Sequence, residues 1–275
     1  MRTLGLLILA SALVSTATGA TVFYEDLSAP SESLPTGEPG WTAPDAAVLW
    51  NNGPLITCAG CCPAATHESQ IRPGGTTFGY GGGQAANLRL ADNFTVPAAE
   101  QWEIQSLTIF PYLTGANSAG ASPVTGVNYQ IWNGEPGAAG SVVVCGNTTT
   151  NVMALSTFSG IYRTTAAAPC PGTTNRPLWA TISTLPQGCP PCLPAGTYWI
   201  DFQFVGGTFY PPVTPRLGGP DATPDSRQSQ AGNWVAIADA GDLQTEDLPF
   251  ILEGVVCNAT PVENSTWGGI KGQYR

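Results

Sequence analysis

Apolar and polar residues alternate with a period of two along much of the chain. Val127, Tyr129 and Ile131 are interleaved with Asn128, Gln130 and Trp132. Leu178, Ala180 and Ile182 are interleaved with Trp179, Thr181 and Ser183, and Tyr198, Ile200, Phe202 and Phe204 with Thr197, Trp199, Asp201 and Gln203. Successive side chains of a strand point to opposite faces, so each run reads as a strand with one core face and one wet face. Further strands are expected over 22–27, 48–50, 87–97, 102–112, 141–145, 152–155, 160–163, 234–238 and 248–256, between segments rich in Pro, Gly and Asn. In the 102–112 run, Trp102 and Ile104 share one parity while Leu107 and Ile109 take the other. That predicts a bulge or burial on both faces. About ten to twelve strands with no competing helical pattern predict an all-β chain. The expected architecture is an antiparallel β-sandwich, jelly-roll-like and disulfide-stapled, with very little helix.

Composition agrees with this pattern: 33 Gly and 25 Pro favour turns over helices, and charged residues make up only 10% of the chain. Arg2, the apolar run 4–14 and the small residues Thr18, Gly19 and Ala20 read as a secretory signal peptide over residues 1–20. A single β-sandwich domain is expected over 21–257, followed by a C-terminal tail, 258–275. In that tail Trp267, Ile270 and Tyr274 stand at helical spacing among three glycines. Thr21 and Val22 stand where a lipid-modified cysteine would be needed, and no later run is long enough to span a bilayer. A secreted or cell-surface protein without membrane insertion is the expectation. With 9 Lys and Arg against 19 Asp and Glu, nucleic acid is not an expected partner, because each phosphate contact needs a cation.

Four short motifs, Ala91-Asp-Asn-Phe-Thr-Val96, Trp102-Glu-Ile104, Tyr129-Gln-Ile-Trp-Asn-Gly-Glu-Pro136 and Asp247-Leu-Pro-Phe-Ile-Leu-Glu-Gly254, carry a resemblance. Together they resemble the recurring signature of a mostly uncharacterised group of exported bacterial β-sandwich proteins. That signature reads Ala-Asp-Asp-Phe-Thr-Val, Trp-x-Ile, Tyr-x-Ile-Trp and Asp-Leu-Ala-Phe, and Asn93 departs from it where a second Asp would stand. The resemblance implies a fold, export and a bacterial source. It implies no activity.

Eight cysteines in an exported chain fit four disulfides. Proximity along the chain suggests Cys145 with Cys170 and Cys189 with Cys192, leaving Cys58, Cys61, Cys62 and Cys257 to pair among themselves, with vicinal Cys61 and Cys62 not joined to each other. Cys189-Pro-Pro-Cys192 has redox-motif spacing but no helix to follow it, so a structural disulfide is the favoured reading. Cys58, Cys61, Cys62 and His67 have the donor types of a zinc site, against which stands the oxidising compartment.

No nucleophile elbow and no His-Glu-x-x-His helix is present, and His67 is the one histidine. A hydrolase using two loop carboxylates remains as a third reading. Two other clusters carry candidate chemistry. Asp239, Asp242, Glu246 and Asp247, with Asp221 and Asp225 in the preceding loop, offer the oxygen-rich spacing that Ca2+ requires, or are solvated turn formers. By parity Trp132, Trp179 and Trp199 fall on the polar side of their strands beside Gln130, Asp201 and Gln203. Flat indoles flanked by hydrogen-bonding groups suit a sugar ring, so a polysaccharide or cell-surface glycan is the expected partner and a non-catalytic binding or surface module the expected function. The alternative is a structural cell-surface or matrix protein in which other segments cover those rings.

Overall fold

The computed structural model describes residues 46–257, apart from residues 54, 72–73, 188, 190–191, 208 and 212–223. The signal peptide expected at 1–20, the strand expected at 22–27, Asp221 and the 258–275 tail lie outside the described residues. Twelve strands are described: β1 (Ala47–Asn51), β2 (His67–Gln70), β3 (Leu88–Val96), β4 (Trp102–Ile109), β5 (Gly126–Trp132), β6 (Val143–Asn147), β7 (Met153–Thr164), β8 (Pro177–Thr184), β9 (Gly196–Val205), β10 (Arg227–Gln230), β11 (Asn233–Ala236) and β12 (Phe250–Val256). Two short 3-10 turns, Pro63–Ala65 and Gln84–Ala86, are the helical elements among the described residues. No helix there is long and apolar enough to cross a membrane.

The strands form two six-stranded sheets, in the orders β1-β12-β4-β8-β7-β2 and β11-β10-β3-β9-β5-β6. Every named pairing is antiparallel except β2 with β7. Leu107, Ile109, Phe250 and Leu252 of the first sheet join Leu90, Phe94, Val127, Ile131, Ile200, Phe202 and Phe204 of the second in one buried cluster. A smaller cluster of Leu55, Phe110, Tyr112, Ile161, Leu178, Ala180 and Ile251 packs separately. Each sheet thus hides apolar surface that alternation along its strands had prepared.

The parity change within β4 is a bulge: Ser106 pairs with Glu253 and Ile104 with Gly254, leaving Gln105 as the extra residue. Gly254 is required there, since a Cβ would sit 2.0 Å from the Glu103 carbonyl oxygen. The segments expected at 152–155 and 160–163 fall, apart from Val152, within one continuous strand, β7. Two strands that carry no apolar alternation, β2 (His-Glu-Ser-Gln) and β10 (Arg-Gln-Ser-Gln), are held by polar contacts instead. In β2 the Ser69 hydroxyl accepts from buried Arg163 and the Glu68 carboxylate from Thr164. In β10, Gln228 donates to the Gly81 carbonyl.

The disulfides are Cys58–Cys61, Cys62–Cys170, Cys145–Cys189 and Cys192–Cys257. The expected Cys145–Cys170 and Cys189–Cys192 pairs are therefore corrected, while Cys61 and Cys62 are, as expected, not joined. Proximity in sequence misleads because strand pairing sets proximity in space. Cys170 follows β7, which runs beside β2 and so meets Cys62, whereas Cys145 on β6 meets the loop after β8. Cys58, Cys61 and Cys62 are all oxidised, which leaves no thiolate for zinc beside His67.

Substituting Gly254→Ala is expected to cost about 1–3 kcal/mol by forcing β12 away from β4. Chemical denaturation checks this: a lowered midpoint is expected, and an unchanged one would show that the bulge relaxes freely.

Candidate carboxylate site and the outer face of the second sheet

Along β3, Leu90, Asp92, Phe94 and Val96 share the inward face, so an acid occupies a core position with 1% exposure. Its Oδ2 accepts from Asn52 Nδ2 at 2.9 Å and from the Leu248 backbone N–H at 2.7 Å, and its Oδ1 from the Asn93 N–H at 2.8 Å. Asn52 also donates to the Leu248 carbonyl, so the chain after β1 and the lead into β12 both close on β3. Asp247 and Asp225 complete a group of three carboxylates whose ligand oxygens lie within 4.8 Å of one another. The Asp225 N–H donates to Asp247 Oδ1 at 3.0 Å, and Asn93 Nδ2 donates to Asp225 Oδ2 at 2.7 Å. Asp92 and Asp247 are buried, while Asp225 is half-buried.

Burial, and then the negative charge of Asp247, push the Asp92 carboxyl well above its ordinary range, and Asp225 adds to this; the Leu248 and Asn93 N–H groups oppose it. Three carboxylates this close do not all remain ionised without a compensating positive charge. The group can therefore coordinate a cation, or it retains a proton.

Of the four residues expected to bind metal, Asp247 alone belongs to this group. Asp239 is instead the organiser of a turn, accepting from the backbone N–H groups of Thr76, Thr77 and Gly241 at 2.8, 2.8 and 2.6 Å. Burial would raise its pKa, but these bonds and that from Asp242 outweigh it and hold the carboxyl well below the usual range. Asp242 is exposed and accepts from the Gln244 N–H. Glu246 is buried, and its charge acts on Arg163. Consecutive residues of an extended chain point to opposite sides, which is why Glu246 and Asp247 separate. Asp92, Asn52 and Arg89 escaped the sequence reading, although an acid at an apolar-parity position of β3 was a visible signal.

The expected tryptophan platform is only partly assembled. Trp132 and Trp199 are cross-strand neighbours on the outer face of the second sheet, whereas Trp179 belongs to the first sheet and is 1% exposed. Trp179 shares its face with Thr181 and Ser183, which pair with core residues Ile109 and Leu107. In β8 the polar parity is thus the inner one, because Leu178 and Ala180 serve the second cluster. Trp199 is only 4% exposed and lies under the Arg227 guanidinium, 5.6 Å from its ring centroid. Trp132 is half-buried, meets half-buried Trp234 edge-on, and donates from Nε1 to Asp201 at 2.5 Å.

The hydrogen-bonding residues expected beside the rings are largely engaged within the protein. Buried Asp201 forms an ion pair with Arg89, whose Nε lies 2.6 Å away. Arg89 also donates to Asn128 Oδ1, and Gln203 links Asn128 to the Leu88 carbonyl. Burial raises the Asp201 pKa despite the opposing charge of Arg89 and the bond from Trp132. Gln130 pairs with Asp201 across the strands and is half-buried. At the rim Arg227 Nε bonds Glu135 Oε1 at 2.6 Å. The rim touches the carboxylate group directly, for Asn93 is the cross-strand partner of Trp199 and holds Asp225.

A cleft beside the Cys145–Cys189 disulfide is lined by Tyr129, Gly146, Asn147, Thr150, Val152 and Pro186, and these offer no carboxylate. No protein-family model, curated protein or solved structure matches the chain.

Arg89→Ala is expected to cost about 3–5 kcal/mol, because it leaves Asp201 buried without its countercharge. Adding Asp201→Asn to that variant is expected to recover part of the loss. A double-mutant cycle by denaturation checks both; equal costs with and without Asp201 would dissolve the pair as an energetic unit.

Proposed function

We propose that the protein is an exported, non-catalytic binding or surface module that holds Ca2+ at Asp92, Asp225 and Asp247 and takes carbohydrate at the adjoining rim of Trp132, Trp234, Arg227 and Glu135. The observation that carries this reading is the placement of Asp225. It is the least buried member of the three-carboxylate group, and through Asn93 and Arg227 it touches the face that carries the indoles. Hard oxygen donors suit calcium, and the ion would relieve the repulsion among Asp92 on β3 and the loop acids Asp225 and Asp247. Half-buried indoles flanked by an Arg–Glu pair suit a sugar, whose ring offers C–H groups to an aromatic face and hydroxyls to charged neighbours. The burial of Trp199 and Trp179 favours the second reading, a structural surface protein in which the outer face is closed by its own side chains.

Calcium is expected to raise the melting temperature and a chelator to lower it, with Asp225→Asn abolishing both responses; thermal unfolding with and without chelator is the check. The pH dependence follows from Asp92. Its pKa is raised on folding, so the metal-free fold binds more protons than the unfolded chain between about pH 4 and the raised value, and loses stability as pH rises through that window. Excess calcium is expected to remove that loss.

Trp132→Ala is expected to weaken retention on an immobilised polysaccharide at least tenfold while leaving the fold intact. Affinity electrophoresis against a panel of soluble glycans checks this. Retention on none of them by the calcium-loaded wild type would leave the structural reading standing.

A further inference from the structure

We propose that the Cys58–Cys61 disulfide is a thiol–disulfide exchange site that accepts electrons from a dithiol partner, while the other three disulfides only hold the fold. Of the eight cysteines, Cys61 alone is exposed; Cys62 and Cys145 are buried and the rest are half-buried. Attack on a disulfide requires access to one sulfur, so Cys61 is where an incoming thiolate arrives.

The four bonds also differ in what their loss does to the fold. Cys58–Cys61 spans a sequence separation of 3, against 108, 44 and 65 for the others. The constraint a disulfide places on the unfolded chain grows with the loop it closes, so this bond contributes least to stability. Its surroundings are fixed independently. The Cys58 N–H donates to the Glu68 carbonyl and the Glu68 N–H to the Cys58 carbonyl, at 3.3 and 2.9 Å. Inside the loop the Gly60 N–H donates to His67 Nδ1 at 3.1 Å, and adjacent Cys62 is anchored to Cys170. Once opened, the two thiols stay close, and the site can close again.

The exchange balances as follows. A thiolate of the dithiol attacks Cys61 Sγ; the Cys58–Cys61 bond breaks and its electron pair leaves on Cys58 Sγ, which takes a proton. The second thiolate of the partner then attacks the partner's own sulfur in the mixed disulfide and expels the Cys61 thiolate, which is protonated in turn. The partner is oxidised to a disulfide and the protein gains two thiols.

The test uses the oxidised full chain with graded dithiothreitol, quenching by N-ethylmaleimide and peptide mass spectrometry. Cys58 and Cys61 are expected to take up label together, at least tenfold faster than any other pair, with the circular dichroism of the sheets unchanged. In a Cys58→Ser/Cys61→Ser variant the fast phase is expected to vanish while the slow labelling of the other six persists. First labelling at Cys145 and Cys189 or at Cys192 and Cys257, or labelling of all eight in step with unfolding, overturns the proposal. Should the double variant not fold, the order of labelling in the wild type decides.

Discussion

An ionisable carboxyl group sealed between two β-sheets is the constraint on which this structure turns. Asp92 occupies a position on β3 that alternation assigns to the core, and its neighbours on that face are Leu90, Phe94 and Val96. A carboxylate there is tolerated because it receives N–H groups from three places: the chain after β1, its own strand, and the lead into β12. One buried acid thereby joins an edge strand of the first sheet, a central strand of the second and the segment that brings β12 between β1 and β4. The same bonds bring Asp247 and Asp225 alongside, and with them an excess of negative charge that hydrogen bonds alone do not neutralise. Architecture and candidate chemistry therefore share a cause: the contacts that close the sandwich also concentrate the carboxylates.

The outer face of the second sheet applies similar logic with opposite signs set diagonally across β3 and β9. Arg89 and Asp201 come from neighbouring strands and neutralise each other under an indole, with Asn128 and Gln203 completing the network. Desolvating both ions of so enclosed a pair is costly, so its net contribution to stability is smaller than the loss that follows removal of one partner. The exposed chemistry lies at the edge of this network, where Trp132, Trp234 and the Arg227–Glu135 pair meet solvent.

How far the sequence could be read depended on how local each signal was. Strands with clean alternation, such as β5 and β9, and the bulge in β4 were legible, because period and parity belong to a single segment. The polar strands β2 and β10 were not, because Glu68, Ser69 and Gln228 are stabilised by partners far along the chain. The disulfides failed for the same reason. Polar parity faces outward for Trp132 and Trp199 but not for Trp179, whose sheet packs apolar residues on both sides. The loop acids form a run along the chain, but Asp247 finds its companions across the fold and Asp239 engages its carboxylate with backbone N–H groups.

Calcium is expected to replace a proton among Asp92, Asp225 and Asp247. Isothermal titration calorimetry with calcium in two buffers of different ionisation enthalpy tests it most directly, because the difference in apparent binding enthalpy counts the protons released. Saturable one-site binding is expected, with net proton release near neutral pH that grows smaller as pH rises. Absence of binding, or binding without proton release that persists in Asp225→Asn, would contradict it.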